Sequence, residues 1–229
     1  MRPADEQTLE HGHGHHHDPH LSHQFEDMNQ QNEAYTVGMW VFLVTELMFF
    51  GGLFATYIIY RSAYHDGFVA GAHHLDWQLG GLNTIVLLAS SFSMALAVRA
   101  GMLKAYRAQF LALGFTFLCA CGFMVIKAIE YTSKYNSNLI PGPNFDNAAN
   151  PIPGTEIFYS LYFAMTGLHG FHVLIGMIVI AVFMVRTYIN RKKDMDYMPL
   201  EMAGLYWHFV DLVWIFLYPL LYLIGKISF

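Results

Sequence analysis

Tyr206-Trp207-His208-Phe209-Val210-Asp211-Leu212-Val213-Trp214-Ile215-Phe216-Leu217-Tyr218-Pro219 is the stretch whose reading decides the fold. It lies inside an apolar run long enough to cross a bilayer, yet it carries a histidine and a carboxylate three residues apart. On a helix that spacing puts His208 and Asp211 on one face, close enough to share a partner. A polar pair is costly in hydrocarbon, so the run predicts a helix inside a bundle, with its polar groups turned inward. Trp207 and Trp214, seven apart, fall on nearly the same face and are expected to seal the pair from lipid. Neighbouring segments must then supply the hydrogen-bonding partners.

Those segments are present upstream. The 229-residue chain is 55% hydrophobic and only 13% charged, against roughly a quarter charged in soluble domains. Apolar runs of the length that spans a membrane, about 20 residues, are predicted at 36–61, 77–99, 105–134, 155–187 and 201–226. The fold class is therefore all-α, a polytopic membrane protein built as a bundle of five transmembrane helices over residues 36–229. A His-rich polar tail, residues 1–35, precedes it. The tail lacks a basic start followed by an apolar core, the pattern of a secretory signal peptide. Its run His11-Gly-His13-Gly-His15-His16-His17-Asp18-Pro19-His20 fits adventitious metal binding or, alternatively, copper or zinc handling. A net charge of −5 with no basic patch argues against nucleic acid.

Lysine and arginine set the orientation. Arg2, Arg99, Lys104, Arg107, Arg186, Arg191, Lys192 and Lys193 fall on one side, whereas Arg61, Lys134 and Lys226 fall on the other. The N-terminus is thus expected in the cytoplasm and the C-terminus across the membrane. The connection 135–154, rich in Pro, Asn and Gly, forms an outer loop, and Pro153, Thr155 and Glu156 mark the start of the fourth span.

The polar residues inside the spans carry whatever chemistry there is. Glu46 is a lone carboxyl in the first span, suited to a proton relay or to a structural or lipid-headgroup contact. His169 and His172 share a face of the fourth span, with Gly167 and Gly170 available for a close backbone approach. With His208 they make three span imidazoles, few for a haem–copper centre and just enough for a zinc or copper site. A structural hydrogen-bond network is the other reading. His65, His73 and His74 fall in a loop. Lys127 and Glu130, three apart near the outer boundary, read as a partly buried ion pair. Asn83, Thr84, Ser90, Ser91 and Ser93 signal close packing and interhelical hydrogen bonds in the second span. Cys119 and Cys121, two apart, point to different faces and cannot readily pair. Depth counting at about 1.5 Å per residue from the cytoplasmic ends places Glu46 about 14 Å deep and Asp211 about 12 Å, with His208 one turn shallower. A Glu46–His208 hydrogen bond, with Asp211 orienting the imidazole, is the expectation.

Five stretches resemble subunit III of the haem–copper cytochrome c oxidases: Thr45-Glu46-Leu-Met-Phe-Phe, Leu82-Asn83-Thr84-Ile-Val-Leu-Leu-Ala-Ser90-Ser91, Glu130-Tyr131, Thr166-Gly-Leu-His169-Gly-Phe-His172-Val-Leu-Ile-Gly176, and Tyr206-Trp207-His208-Phe209-Val210-Asp211-Leu-Val-Trp214. They occur in the family's order across residues 36–226. The resemblance implies a non-catalytic subunit of a respiratory oxidase in the bacterial inner membrane, without catalytic or metal-ligating residues of its own. Haem and copper are expected in partner subunits. It implies direct packing on subunit I, with subunit II and small accessory subunits nearby, and is compatible with a supercomplex with an upstream quinol-oxidising complex. Bound phospholipid and support of proton uptake and turnover stability are also implied. Glu46, His169, His172, Trp207, His208 and Asp211 carry over as structural or lipid-contacting positions. Many members have seven spans with a lipid-filled cleft between the first two and the rest. This chain has the equivalent of the last five, and helices of another subunit are expected in the place of the first two. Alternatives are subunit III of a quinol oxidase or of a nitric-oxide-reductase-associated relative, and a stand-alone metal-handling membrane protein.

Overall fold

In hydrocarbon every backbone N–H and C=O must be paired within the protein, which leaves the helix as the form for apolar runs of this length. The computed structural model describes residues 22–143, 145, 151–189 and 197–224. Within them lie α1 (Met28–Ala63), α2 (His65–His73), α3 (Trp77–Met102), α4 (Tyr106–Asn136), α5 (Thr155–Ile189) and α6 (Met198–Tyr218), the last continued by a π-helical turn, Pro219–Leu223. All but α2 are long and apolar enough to cross a membrane, α6 together with its π turn.

Local chemistry sets the ends. The Asp27 side chain accepts a 2.7 Å hydrogen bond from the Gln30 N–H and starts α1 eight residues before the expected boundary. Lys104 (φ 54°) and Asn138 (φ 52°) take the left-handed conformation just past α3 and α4. Behind them Ala105 N–H reaches the Ala100 carbonyl and Leu139 N–H the Lys134 carbonyl, the six-to-one bond of a Schellman stop. Pro199 sits in the first turn of α6, where its missing N–H costs nothing. Pro219 lies at the far end of the helix and widens it into the π turn, where Tyr57 donates a 2.7 Å hydrogen bond to the Leu220 carbonyl.

Two boundaries differ from the sequence expectation in kind. The sequence predicts the last span as one helix over 201–226; its α-helix begins at Met198 and gives way at Pro219. The stretch holding His65 and His73, expected as loop, is α2, with His74 as its cap. Two glycines in nine residues make it a poor helix former. Burial of Gly67, Phe68, Gly71 and Ala72 on one side holds it.

α3, α4, α5 and α6 form a four-membered ring, each packed on the next and α6 closing on α3. α1 lies outside it, against α5 and α6. Of the most apolar 18 residues of α1, 6% are buried in the chain, against 50% for α6 with its π turn. α6 is thus the central helix, and α1 is a strap along the bundle. Glycine permits close approach at particular places: a Cβ on Gly176 would lie 2.7 Å from the Trp207 ring, and one on Gly80 would lie 2.9 Å from Tyr218. Among the described residues nothing stands within 4 Å of a Cβ at Gly170, and at Gly167 only the Tyr131 hydroxyl does, so no described backbone uses the room these two glycines leave. The His-rich run, Arg191, Lys192, Lys193 and Lys226 lie outside the described residues.

Candidate functional site

The ring interior is where polar side chains concentrate. At the end nearer the α4–α5 connection, Lys127 Nζ lies 2.9 Å from Glu130 Oε2, both buried on one face of α4. Tyr222, carried inward by the π turn, accepts from Lys127 Nζ at 2.6 Å and donates to Glu130 Oε1 at 2.6 Å. The ammonium also lies 4.6 Å from the centre of the Trp214 ring, and the Tyr162 hydroxyl stands 3.4 Å from that of Tyr222. The charge pair therefore closes on itself through a phenol, which meets most of its desolvation cost with short charge-assisted bonds. Lys134 Nζ, further along the same helix, bonds the His74 carbonyl and ties α4 to the end of α2.

Deeper in, His169 is 1% exposed between the rings of Phe123 and Trp214, at 5.5 and 5.2 Å. Neither of its nitrogens has a hydrogen-bond partner among the described residues. The two indoles reach α3: Trp214 Nε1 donates to Thr84 Oγ1 at 3.1 Å and Trp207 Nε1 to Ser90 Oγ at 3.0 Å. Both tryptophans are buried in the ring, where they line its interior.

Asp211 is buried beside Ser90 and Ser91. The Ser90 hydroxyl already donates to the Leu87 carbonyl, and Ser91 Oγ is taken by His208 Nδ1 at 2.6 Å. Neither carboxylate oxygen of Asp211 therefore makes a well-formed hydrogen bond among the described residues.

Glu46 meets a histidine, but a different one from that expected. Its Oε2 lies 3.1 Å from His172 Nε2, across the α1–α5 contact. His172 Nδ1 faces the Leu168 carbonyl at 2.9 Å, an acceptor only, so Nδ1 carries a proton and donates. Phe50, 5.2 Å from the imidazole, and Tyr206, which donates to the His172 carbonyl at 3.0 Å, pack around it. The Glu46–His208 bond fails for a geometric reason. Successive helical residues point about 100° apart; Phe209 turns to α1, where it meets Phe50, so His208 turns to α3. Depth alone does not distinguish the two sides of α6.

Glu46 tethers α1 to α5, as Tyr57 tethers it to the π turn. Glu46→Gln keeps a group able to bond His172 Nε2 and is expected to change stability little. Glu46→Leu leaves that nitrogen unpaired at a cost of about 1–3 kcal/mol, read as a lower midpoint in thermal melting of the purified protein.

The three span histidines thus have separate surroundings: an aromatic slot, a carboxyl on α1 and a serine on α3. Among the described residues no three His, Cys, Asp or Glu side chains stand together as a metal cluster. Cys119 and Cys121 are unpaired thiols. Sequence reasoning misses Tyr222 and Tyr162 as part of the Lys127–Glu130 group. Tyr222 lies beyond Pro219, where the helical period used to assign faces no longer holds.

The sequence matches the family model described as cytochrome c oxidase subunit III over residues 22–226. It is 28% identical over 195 residues to the cytochrome c oxidase subunit 3 of Bacillus sp. (strain PS3), covering 84% of this chain and 86% of that protein. Against the subunit 3 of Synechocystis sp. identity is 33% over 195 residues, covering 82% and 74%. The cytochrome bo(3) ubiquinol oxidase subunit 3 of Buchnera aphidicola is 29% identical over 191 residues, covering 83% and 92%.

Proposed function

Because the chain belongs to the cytochrome c oxidase subunit III family, we propose that it is the non-catalytic third subunit of a respiratory terminal oxidase that passes electrons from cytochrome c to dioxygen and pumps protons. In this reading it sits in a bacterial inner membrane, N-terminus in the cytoplasm and C-terminus in the periplasm. It packs directly on subunit I, near subunit II and small accessory subunits, with phospholipid bound along its helices. It sustains proton uptake and turnover stability, and a supercomplex with an upstream quinol-oxidising complex is compatible with it.

The observation that carries a structural role is the separation of His169, His172 and His208. A copper site shared by these three imidazoles would need them to converge on one point, and they do not. In this reading haem and copper belong to partner subunits. Glu46, His169, His172, Trp207, His208 and Asp211 serve to hold the bundle, its lipids and its neighbour together.

Gentle detergent purification through a tag on this chain tests the reading. Haem a absorbance travelling with the chain, and subunit II carrying a binuclear copper site, is the expected result. Absence of haem from the intact purified complex would overturn it. The resemblance to a ubiquinol oxidase subunit favours a second reading in the electron donor only, and subunit II without copper would establish that one.

A further inference from the structure

Small hydroxyls inside this bundle find their own partners. Thr84, Ser90, Thr116 and Thr166 each donate to a carbonyl three or four residues back on the same helix. His172 turns Nδ1 to the Leu168 carbonyl in the same way. Three larger side chains of the ring do not. Both polar atoms of the Asn83 amide, both nitrogens of His169 and both carboxyl oxygens of Asp211 are enclosed and lack a hydrogen-bond partner among the described residues. The three residues are 0%, 1% and 3% exposed.

They belong to three helices and stand at neighbouring levels. α3 and α4 run antiparallel, with Ser93 on the Ala112 carbonyl and Thr116 Oγ1 3.4 Å from the Ser90 carbonyl. Seven residues from the Ser90–Thr116 contact, about 10.5 Å along each axis, α3 carries Asn83 and α4 carries Phe123. The Phe123 ring stands 5.5 Å from that of His169 on α5 and 4.9 Å from that of Trp214 on α6. Trp214 in turn bonds Thr84, the residue after Asn83, at 3.1 Å. Asp211 lies one turn before Trp214 on the same face of α6, beside Ser90. An amide, an imidazole and a carboxyl supply donors and acceptors together. Had they closed on one another they would be bonded; unbonded at neighbouring levels, they stand apart by more than direct hydrogen-bond reach.

We propose that the ring encloses a water site around Trp214, in which ordered water bridges Asn83, His169 and Asp211. Buried water takes about three hydrogen bonds and occupies places where polar groups are otherwise unsatisfied. Bare amide, imidazole and carboxyl groups are costly inside a bundle that spans hydrocarbon. Lipid does not reach these atoms, which are closed off by protein on all sides. A metal ion fits less well, because among the described residues no three His, Cys, Asp or Glu side chains stand together. The site concerns the interior of this chain and goes beyond the role proposed for it in a complex.

Structure determination of the purified full-length protein, at a resolution that shows ordered water, tests the site directly. Density within hydrogen-bond distance of a His169 nitrogen and of Asn83 or Asp211 is the expected result. Thermal melting of His169→Leu, Asn83→Leu and the double variant tests it independently, because the sign differs between a wet and a dry ring. In a dry ring His169→Leu removes a bare imidazole and raises the melting midpoint. In a hydrated ring it deprives the water of a partner and lowers the midpoint by a few degrees, as Asn83→Leu does. Since the same water serves both residues, the double variant should lose less than the sum of the two. Side chains in these places with no density between them, a raised midpoint in His169→Leu, or strictly additive losses would overturn the proposal. If a variant does not fold, the density in the unaltered protein decides.

Discussion

Replacing Glu130 alone by leucine is expected to destabilise the bundle by about 3–5 kcal/mol, the largest loss expected from any single substitution in this chain. Lys127 would be left buried among Tyr162, Trp214 and Tyr222, with no carboxylate to receive it. Cation–π contact with Trp214 offsets about 1–2 kcal/mol at most. The informative comparison is the double variant Lys127→Leu/Glu130→Leu. Both charges then disappear, and the remaining penalty is that of a buried Tyr222 hydroxyl stripped of its two short bonds, about 1–3 kcal/mol. The double variant should therefore melt closer to the unaltered protein than Glu130→Leu does. Additive losses in that cycle would mean that the two groups act independently, which the closed geometry contradicts.

Gly67→Ala is expected to be the next most damaging change, although it adds one methyl group. The new Cβ would lie 2.3 Å from the Pro153 carbonyl oxygen and 2.8 Å from both Gly154 C and Thr155 N. These are backbone atoms at the head of α5, so no side-chain rotation relieves the clash. α2 must lift away from α5, opening the edge-to-face stack in which Phe68 sits 5.2 Å from Tyr57 and 5.5 Å from Phe158. Overpacking of this kind costs about 1–3 kcal/mol, occasionally more, and exceeds the roughly 1 kcal/mol that alanine gains over glycine in a helix. A lowered melting midpoint together with faster proteolysis around residues 64–76 is the expected result. Gly122→Ala and Gly170→Ala, where nothing stands within 4 Å, should instead be neutral or stabilising. Equal effects at all three positions would refute the clash.

The membrane class, the five spans and the polar residues set at helical spacing are legible in the sequence, because hydrocarbon admits no other backbone form for such runs and periodicity alone assigns faces. So is the adjacency of Lys127 and Glu130, an i, i+3 relation that holds on any helix. What periodicity cannot decide is which neighbour a face meets. Glu46, expected on His208, meets His172, because the packing of α1 across α5 and α6 is a tertiary fact with no local signature. Tyr222 joins Lys127 and Glu130 only because Pro219 turns the end of α6 into a wider helix and changes the angle at which later side chains project. α2 forms despite its glycines because the start of α5 requires a surface with no side chain at Gly67 and Gly71. The sequence by itself determined which residues must hide from lipid, since that is a property of each side chain and its helix. The tertiary structure decided with whom they hide, since partnership depends on how separate helices are rotated and placed against one another.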